Sequence, residues 1–111
     1  MATFNFTKYV SQNIGTTEQV VYQVPSGQSS LVISLNLSNK KNTGITVNVV
    51  VVDALSTDEI SILHEVPLPQ GSSLPSLGRQ KIILQENDQV KVSASEADAV
   101  DAILSVIEDV N

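Results

Sequence analysis

Nearly the same phrase occurs twice in this chain, as VPSGQSSL over residues 24–31 and as VPLPQGSSL over residues 66–74. Each copy ends a stretch in which apolar and polar residues alternate as in a β-strand. Proline cannot donate a ladder hydrogen bond, Gly27 or Gly71 can adopt the positive φ of a tight bend, and the serines can bond the turn backbone. The repeat therefore predicts two strand ends with similar turns, which constrains shape and is not a catalytic motif.

The residues after the first phrase show the period of two that is typical of a half-buried strand. The turn sequence KKNTG separates them from a second apolar run, ITVNVVVVDA. Because Asn42 and Gly44 are turn formers, the two runs predict a β-hairpin. The inward residues predicted for its first strand are Leu31, Ile33, Leu35 and Leu37. Those predicted for its second strand are Ile45, Val47, Val49 and Val51.

Four residues of this region are candidates for a contact between subunits. Val50 and Val52 break the polar alternation on the other face of the second strand, which predicts that this end of the strand is covered on both sides. A neighbouring subunit is one source of such cover. Lys40 and Lys41, at the predicted hairpin tip, could contact an acidic partner surface, although two lysines in an exposed turn are ordinary.

Other segments add strands on either side of this hairpin. EQVVYQVP is predicted to end as a strand at Pro25, and DEISILHEVPLP at Pro67 and Pro69. SLGRQKIILQ and DQVKVSAS are predicted as two strands separated by an END turn, with Val90 and Val92 facing inward. About six or seven strands at short, regular spacing, in a chain rich in Val, Ile and Leu, predict an all-β fold.

Residues 95–107 fit two structures. As a helix, they would have Ser95 as a cap and acidic residues in the first turn, where the helix dipole favours them. As a strand, Ile103 and Ile107 would alternate with Leu104 and Val106. The spacing alone slightly favours the helix.

Three of the four aromatic residues, Phe4, Phe6 and Tyr9, lie in the first fifteen residues. One hypothesis is an N-terminal strand that packs on its own domain. The other is an arm whose aromatic side chains anchor in a neighbouring subunit, since aromatic residues dominate interface energetics. We divide the chain on the second hypothesis, with residues 1–15 as the arm and residues 16–111 as the β-sandwich domain.

Composition excludes several classes of function. The chain of 111 residues has a formal charge of −6 and scattered basic residues, which argues against nucleic-acid binding. It has no apolar run near the roughly 20 residues of a membrane-spanning helix. There is no Cys, and His64 is the single His, so we predict no metal site, no cofactor and no catalytic residue. An enzyme is the least expected class.

The order of four segments carries a family resemblance. NIGTTEQVVYQVPSGQSSLVISLNLSN is followed by VPLPQGSSL and then by KIILQENDQVKVSASEADAVDAILSVIED. Together they cover about residues 13–110 and resemble the small virion structural proteins of tailed bacteriophages, especially those of marine and cyanobacterial phages. Each motif is a turn or strand-end pattern that any β-sandwich can contain, so only the order and spacing of the motifs support the resemblance.

The resemblance implies an all-β, single-domain antiparallel β-sandwich, with a jelly roll as one arrangement, whose segment after residue 99 is a strand. It implies a non-enzymatic virion protein, assembled in the host cytoplasm, that binds the major capsid protein or connector and tail proteins. Capsid decoration is the preferred function and a trimer the preferred homo-oligomer. The alternatives are a neck or tail accessory protein of the same fold, or, independently of the resemblance, a carbohydrate-binding module for host adhesion.

Overall fold

The computed structural model describes residues 3–75 and 82–110 of the chain. Within these ranges all regular elements are β-strands. The strands are β1 (Thr3–Ile14), β2 (Gln19–Gln23), β3 (Ser30–Asn39), β4 (Ile45–Val52), β5 (Glu59–Leu68), β6 (Ser73–Pro75), β7 (Ile82–Leu84), β8 (Gln89–Ala94) and β9 (Val100–Val110). The segment from Val100 onward is a strand, so the helical alternative for residues 95–107 is wrong, and part of the predicted SLGRQKIILQ strand lies outside the described residues.

The strands form two antiparallel sheets. Sheet I has the order β1-β9-β3, with β6 and β7 paired to the two ends of β3 along its far edge. Sheet II has the order β2-β8-β4-β5. Successive strands therefore alternate between sheets except at β4–β5 and β6–β7, which is the order of a jelly roll with one edge strand divided in two. The predicted single-domain antiparallel sandwich is confirmed.

The core lies between the sheets and is built from aliphatic side chains that alternate along the central strands. Its fully buried members include Val32, Leu35, Leu37, Val47, Val49, Val92, Val100 and Leu104. An apolar void among them measures about 10 Å³, which is at the lower limit for one water molecule. This part of the core has no room for a bound small molecule.

Two features predicted for β3 and β4 are wrong. β3 belongs to sheet I and β4 to sheet II, so KKNTG is a crossing between sheets and not a hairpin turn. A register shift between Val32 and Ser34 marks a bulge in β3, which exchanges the two faces of the strand on either side of it. Leu35 and Leu37 face inward as predicted, whereas Leu31 and Ile33 do not and Val32 takes the inward position.

The repeated phrase forms the same β-turn twice. Gln28 N–H donates to Pro25 O at 3.2 Å, and Ser72 N–H donates to Pro69 O at 3.2 Å. The third residue of each turn is a glycine with positive φ, 78° at Gly27 and 68° at Gly71, which a side chain would strain. Each copy carries the chain from sheet II to sheet I, so the repeat is explained by shape.

The END turn between β7 and β8 forms hydrogen bonds with the backbone of the first copy of the repeat, VPSGQSSL. Asn87 N–H donates to Val24 O at 2.9 Å, and Val24 N–H donates to Asp88 O at 3.0 Å. A Glu86 carboxylate oxygen accepts from Gly27 N–H at 2.7 Å. Two connections between the sheets are thereby joined at one end of the sandwich, and their acidic side chains serve as hydrogen-bond acceptors for the backbone.

Residues 3–14, within the predicted arm, form the edge strand of sheet I. β1 pairs with β9 over its whole length, in continuous register from Thr3 to Ser11. The N-terminal residues thus lie on their own domain, as in the first of the two hypotheses for this segment. A boundary after residue 15, and a role of this segment in contacting a neighbour, stay predictions.

Candidate interaction surface

The outer face of sheet I carries a row of four apolar side chains, one from each of four adjacent strands. Phe6 in β1 lies opposite Ile107 in β9, Ile107 lies opposite Leu31 in β3, and Leu31 lies opposite Ile83 in β7. Residues that are directly opposite in an antiparallel pair project from the same face with neighbouring Cβ atoms. Phe6, Ile107, Leu31 and Ile83 therefore form a continuous stripe across the sheet, here called the outer row.

The outer row is accessible to solvent in the isolated chain. Phe6 is 74% exposed and Ile83 is 75% exposed. Ile107 and Leu31, in the middle of the sheet, are half-buried by their neighbours. Single exposed apolar residues need no explanation, but a contiguous stripe on one sheet face is typical of an interaction site.

Polar residues and a second apolar pair lie beside the outer row. Lys8 in β1 is opposite Ser105 in β9, and these two residues separate the outer row from Val10 and Ile103. Val10 is 64% exposed and Ile103 is 51% exposed. A shallow open depression runs along β1 and β9 beside the outer row, and Phe6, Lys8 and Ser105 form part of its lining. The surface is thus mainly apolar, with the positive charge of Lys8 between the two apolar groups and the partly exposed Asp101 beside Val10 and Ile103.

The outer face of sheet II is different. Asn48, Val50 and Val52 of β4 project from it, next to Ser93, Lys91 and Gln89 of β8. Val50 is only 9% exposed, and its cross-strand neighbours on this face are Ser61 and Lys91. The chain itself covers Val50, so a neighbouring subunit is not needed to explain an apolar residue there.

A polar cluster lies beneath the outer row, on the inner face of the same strands. Glu108, which is 5% exposed, accepts hydrogen bonds on one carboxylate oxygen from Tyr9 Oη at 2.8 Å and from Tyr22 Oη at 2.6 Å. Because the Tyr22 proton goes to Glu108, the hydroxyl of Ser30 donates to the Tyr22 oxygen at 2.5 Å. The two tyrosine rings pack with centroids 4.7 Å apart. The cluster joins strands of both sheets.

The same cluster shifts the acid–base behaviour of its phenols. Burial raises the pKa of Tyr22 well above its usual range, and the hydrogen bond to Glu108 raises it further, against a smaller opposing effect of Ser30. Burial and the contact with Glu108 also raise the pKa of Tyr9. Both phenols therefore stay protonated at neutral pH and donate hydrogen bonds to the buried carboxyl group. The role of the cluster is thus structural.

The three aromatic residues predicted as anchors are not equivalent. The Phe6 side chain lies in the outer row and is free to meet a partner. Tyr9 points to the interior, where Tyr22 and Glu108 hold it. Phe4 has its backbone in β1, and its side chain lies outside the described part of the structure. An interface role for each of them stays a prediction; of the two described side chains, that of Phe6 is placed for it and that of Tyr9 is not.

The predicted lysine contacts lie at the connection between the sheets. Lys40 Nζ donates to Asn13 Oδ1 at 2.5 Å and lies 3.4 Å from Asp101 Oδ1, so it ties this connection to the end of β1 and to β9. The Lys41 backbone N–H donates to the Asn39 side chain at 2.7 Å. Lys40 is thus paired within the chain. A contact of Lys40, Lys41 or Val52 with a partner stays a prediction.

Residues that sequence reasoning did not assign to the surface supply most of it. The sequence predicts Ile103 and Ile107 as alternating strand residues, Ile83 as part of a strand, and Leu31 on the inner face. The one available signal was the pair Ile103 and Ile107, whose side chains share a face in any strand that buries Leu104. Nothing local in the chain links these residues to Phe6.

Residues 3–75 and 82–110 contain no group of three or more His, Asp or Glu side chains that could hold a metal ion. They also contain no helix of the length and apolar character that crossing a membrane requires. His64 is exposed on β5.

No protein-family profile matches the chain, and no curated protein matches its sequence. Solved structures do share its fold. A protein of Bacillus endospore appendages, which form disulfide-linked pili, is 17% identical with a TM-score of 0.63, over 99% of this chain and 90% of its own. A chain of the infectious bursal disease virus particle is 9% identical with a TM-score of 0.54, over 99% of this chain and 31% of its own.

A capsid protein of cyanophage Pam1 is also similar, at 17% identity and a TM-score of 0.44 over 99% of this chain and 85% of its own. That likeness is too distant to carry an argument. The first two establish the fold alone, which this chain shares with proteins that build pili and viral particles. This chain has no Cys, so disulfide links between its copies are ruled out.

Proposed function

We propose that this protein is a non-enzymatic structural component of a phage virion, and more specifically a capsid decoration protein that binds the major capsid protein. The observation that carries the proposal is the outer row, an apolar stripe left in solvent by a chain whose core is otherwise complete. The resemblance of the sequence to small virion proteins and the jelly-roll fold support it. The proposed site of action is the assembled particle.

The mechanism is burial of surface at a junction of the shell. Covering a fully exposed Phe or Ile side chain contributes about 1.5–3 kcal/mol, so several members of the outer row together can exceed the cost of association. Lys8 beside the outer row adds a positive charge, which favours a capsid surface with acidic residues at the edge of the contact. A decoration protein placed in this way adds interface area to the shell without any chemical step.

The carbohydrate-binding alternative is disfavoured by the placement of aromatic residues. Sugar-binding modules use exposed Trp or Tyr rings as stacking platforms. The chain has no Trp and only two Tyr, and both tyrosines pack on each other inside the sandwich. A neck or tail accessory protein has the same fold and the same need for an apolar contact, so it is separated from decoration by position on the particle.

The test is binding to the parent phage particle followed by electron cryo-microscopy. We expect density for this chain repeated across the icosahedral head, with the outer face of sheet I against the shell. Density confined to the neck or tail would replace decoration by the accessory function. A particle without this protein would overturn both.

A pair of variants tests the surface itself. Phe6→Asp places a charge in the outer row, and Leu55→Asp places the same charge on an apolar residue that is 88% exposed in the β4–β5 connection. We expect Phe6→Asp to lower particle binding at least tenfold and Leu55→Asp to leave it unchanged. Equal losses would show that charge, and not this surface, governs attachment.

A further inference from the structure

The described edges of the two sheets are not equally protected against pairing with another chain. An edge strand presents unpaired N–H and C=O groups, and proteins blunt such edges with short strands, prolines, bulges or charges. Sheet I has β1 at one edge and β6 with β7 at the other, while sheet II has β2 and β5. Comparing these edges identifies the one that is open.

Three edges are blunted. β2 has five residues and an irregular register between Val20 and Tyr22. β6 and β7 have three residues each. β5 is longer, but its pairing with β4 is interrupted twice, Glu65 has a φ of 50°, and Pro67 lacks a donor.

β1 has none of these protections over most of its length. Its register with β9 is regular for the nine residues from Thr3 to Ser11, and the first irregularity follows Ser11. There is no proline in β1. The chain has twelve Asp and Glu residues, and none of them lies in β1, whose only charge is Lys8. Two copies of an acidic protein can therefore approach along this strand without carboxylate repulsion.

We propose that the free edge of β1 pairs in antiparallel fashion with β1 of a second copy of this chain. The regular segment is centred on Thr7, so a twofold axis through Thr7 pairs all nine residues, from Thr3 against Ser11 of the second copy. This register places Phe6 opposite Lys8 of the second copy and Thr7 opposite its own equivalent. A cation beside an aromatic ring and a Thr–Thr pair are both favourable cross-strand neighbours.

Two neighbouring registers are worse for identifiable reasons, and an axis through Phe6 would pair only the seven residues from Thr3 to Tyr9. A shift by one residue would place Phe6, on the outer face, opposite Tyr9, on the inner face, which a continuous sheet does not allow. A twofold axis through Lys8 would oppose two ammonium groups. With Thr7 on the axis, the two copies of sheet I become one sheet with both outer rows on the same face. The pairing specifies how the homo-oligomer forms and does not depend on the proposed attachment to a virion.

Cysteine crosslinking tests the register, because the chain has no Cys of its own. Residues paired across the axis have Cα atoms about 4.5–5.5 Å apart, which is within the range of a disulfide. We expect purified Thr7→Cys to form a covalent dimer on mild oxidation. Ser11→Cys, whose equivalents would be about 27 Å apart in this register, should stay monomeric. Dimers of Ser11→Cys, or none of folded Thr7→Cys, would overturn the register.

Analytical ultracentrifugation of the unmodified protein, free of any particle, tests the association itself and does not require a variant that folds. We expect a monomer–dimer equilibrium that shifts toward dimer as concentration rises. Phe6→Lys, which opposes Lys8 of the second copy, should weaken the dimer at least tenfold, and Leu55→Lys should not. A monomer at every concentration, or a trimer, would overturn the β1 pairing. A dimer that fails to bind particles would overturn only the proposed function.

Discussion

The two faces of sheet I each carry an exception to the usual distribution of polarity, a buried polar cluster in the apolar inner face and an exposed apolar row on the outer face. Its inner face buries a carboxylate, two phenols and a hydroxyl, while its outer face exposes Phe6, Ile83 and their neighbours to water. The buried polar groups are tolerated because they satisfy one another. The exposed apolar groups have no such compensation among the described residues, which is why we assign stability to the inner face and propose contact for the outer face.

The sharpest test of this comparison uses two adjacent residues of β9. Leu104 is buried at 1% exposure and Ile103 is 51% exposed on the outer face. We expect Leu104→Ala to lower the free energy of unfolding by about 2–5 kcal/mol, because it leaves a cavity between the sheets. Ile103→Ala should change it by less than about 0.5 kcal/mol. Urea denaturation followed by circular dichroism measures both, and equal losses would remove the distinction between the faces.

The next effect concerns the buried carboxyl group. Glu108→Leu leaves the Tyr9 hydroxyl without its acceptor and removes one partner of Tyr22, so we expect a loss of about 1–3 kcal/mol in unfolding free energy. Combining it with Tyr9→Phe and Tyr22→Phe should restore part of that loss, because the two phenol hydroxyls that lost their acceptor are then removed and only the Ser30 hydroxyl loses a partner. A triple variant less stable than Glu108→Leu alone would show that these groups act mainly through packing.

The inner face also predicts a dependence on alkaline pH. The folded state raises the pKa of Tyr9 and Tyr22, chiefly by burial, so it holds these protons more tightly than the unfolded chain does. Their stabilising contribution is therefore complete below about pH 10 and is lost as the pH rises above it. Urea midpoints measured from pH 8 upward should fall above that point. Tyr22→Phe should make the decline of the urea midpoint with pH less steep. An unchanged slope in this variant would contradict a contribution of Tyr22 to the pH dependence.

The smallest effect on stability is expected at the exposed end of the outer row. Ile83→Ser should change the free energy of unfolding by less than about 0.5 kcal/mol, since the side chain is 75% exposed. The same variant should lower binding to particles severalfold. A large loss of stability would mean that the outer row belongs to the fold, which would break the comparison between the faces.

Sequence patterns were sufficient for the fold class because turn chemistry is local. The two Pro-x-Gly turns end strands where expected, and the inward positions of Val90 and Val92 are confirmed. The hairpin prediction failed because Asn and Gly suit both a hairpin turn and a crossing between sheets. The helical spacing after residue 99 misled because residues four apart, such as Val100 and Leu104, share a face in a helix and also in a strand.

The proposed interaction surface could not be predicted because it depends on pairing between distant segments. The outer row joins positions 6, 31, 83 and 107, and the register of three strand pairs is needed to bring them together. The bulge in β3 also moved Leu31 from the expected inner face to the outer one. No local composition announces a bulge, so the face of Leu31 could be known only from the structure.

The pairing of β1 with β9 has a consequence for synthesis on the ribosome. β1 emerges before the other described strands, yet its only described strand partner is completed about a hundred residues later. Until then its hydrogen-bonding groups and Phe6 remain available to other chains, including nascent copies from the same message. Domains dominated by such distant pairings fold slowly and are exposed to aggregation while they wait. Production of this protein in quantity therefore favours conditions that keep β1 protected until β9 arrives, such as a chaperone that binds extended strands.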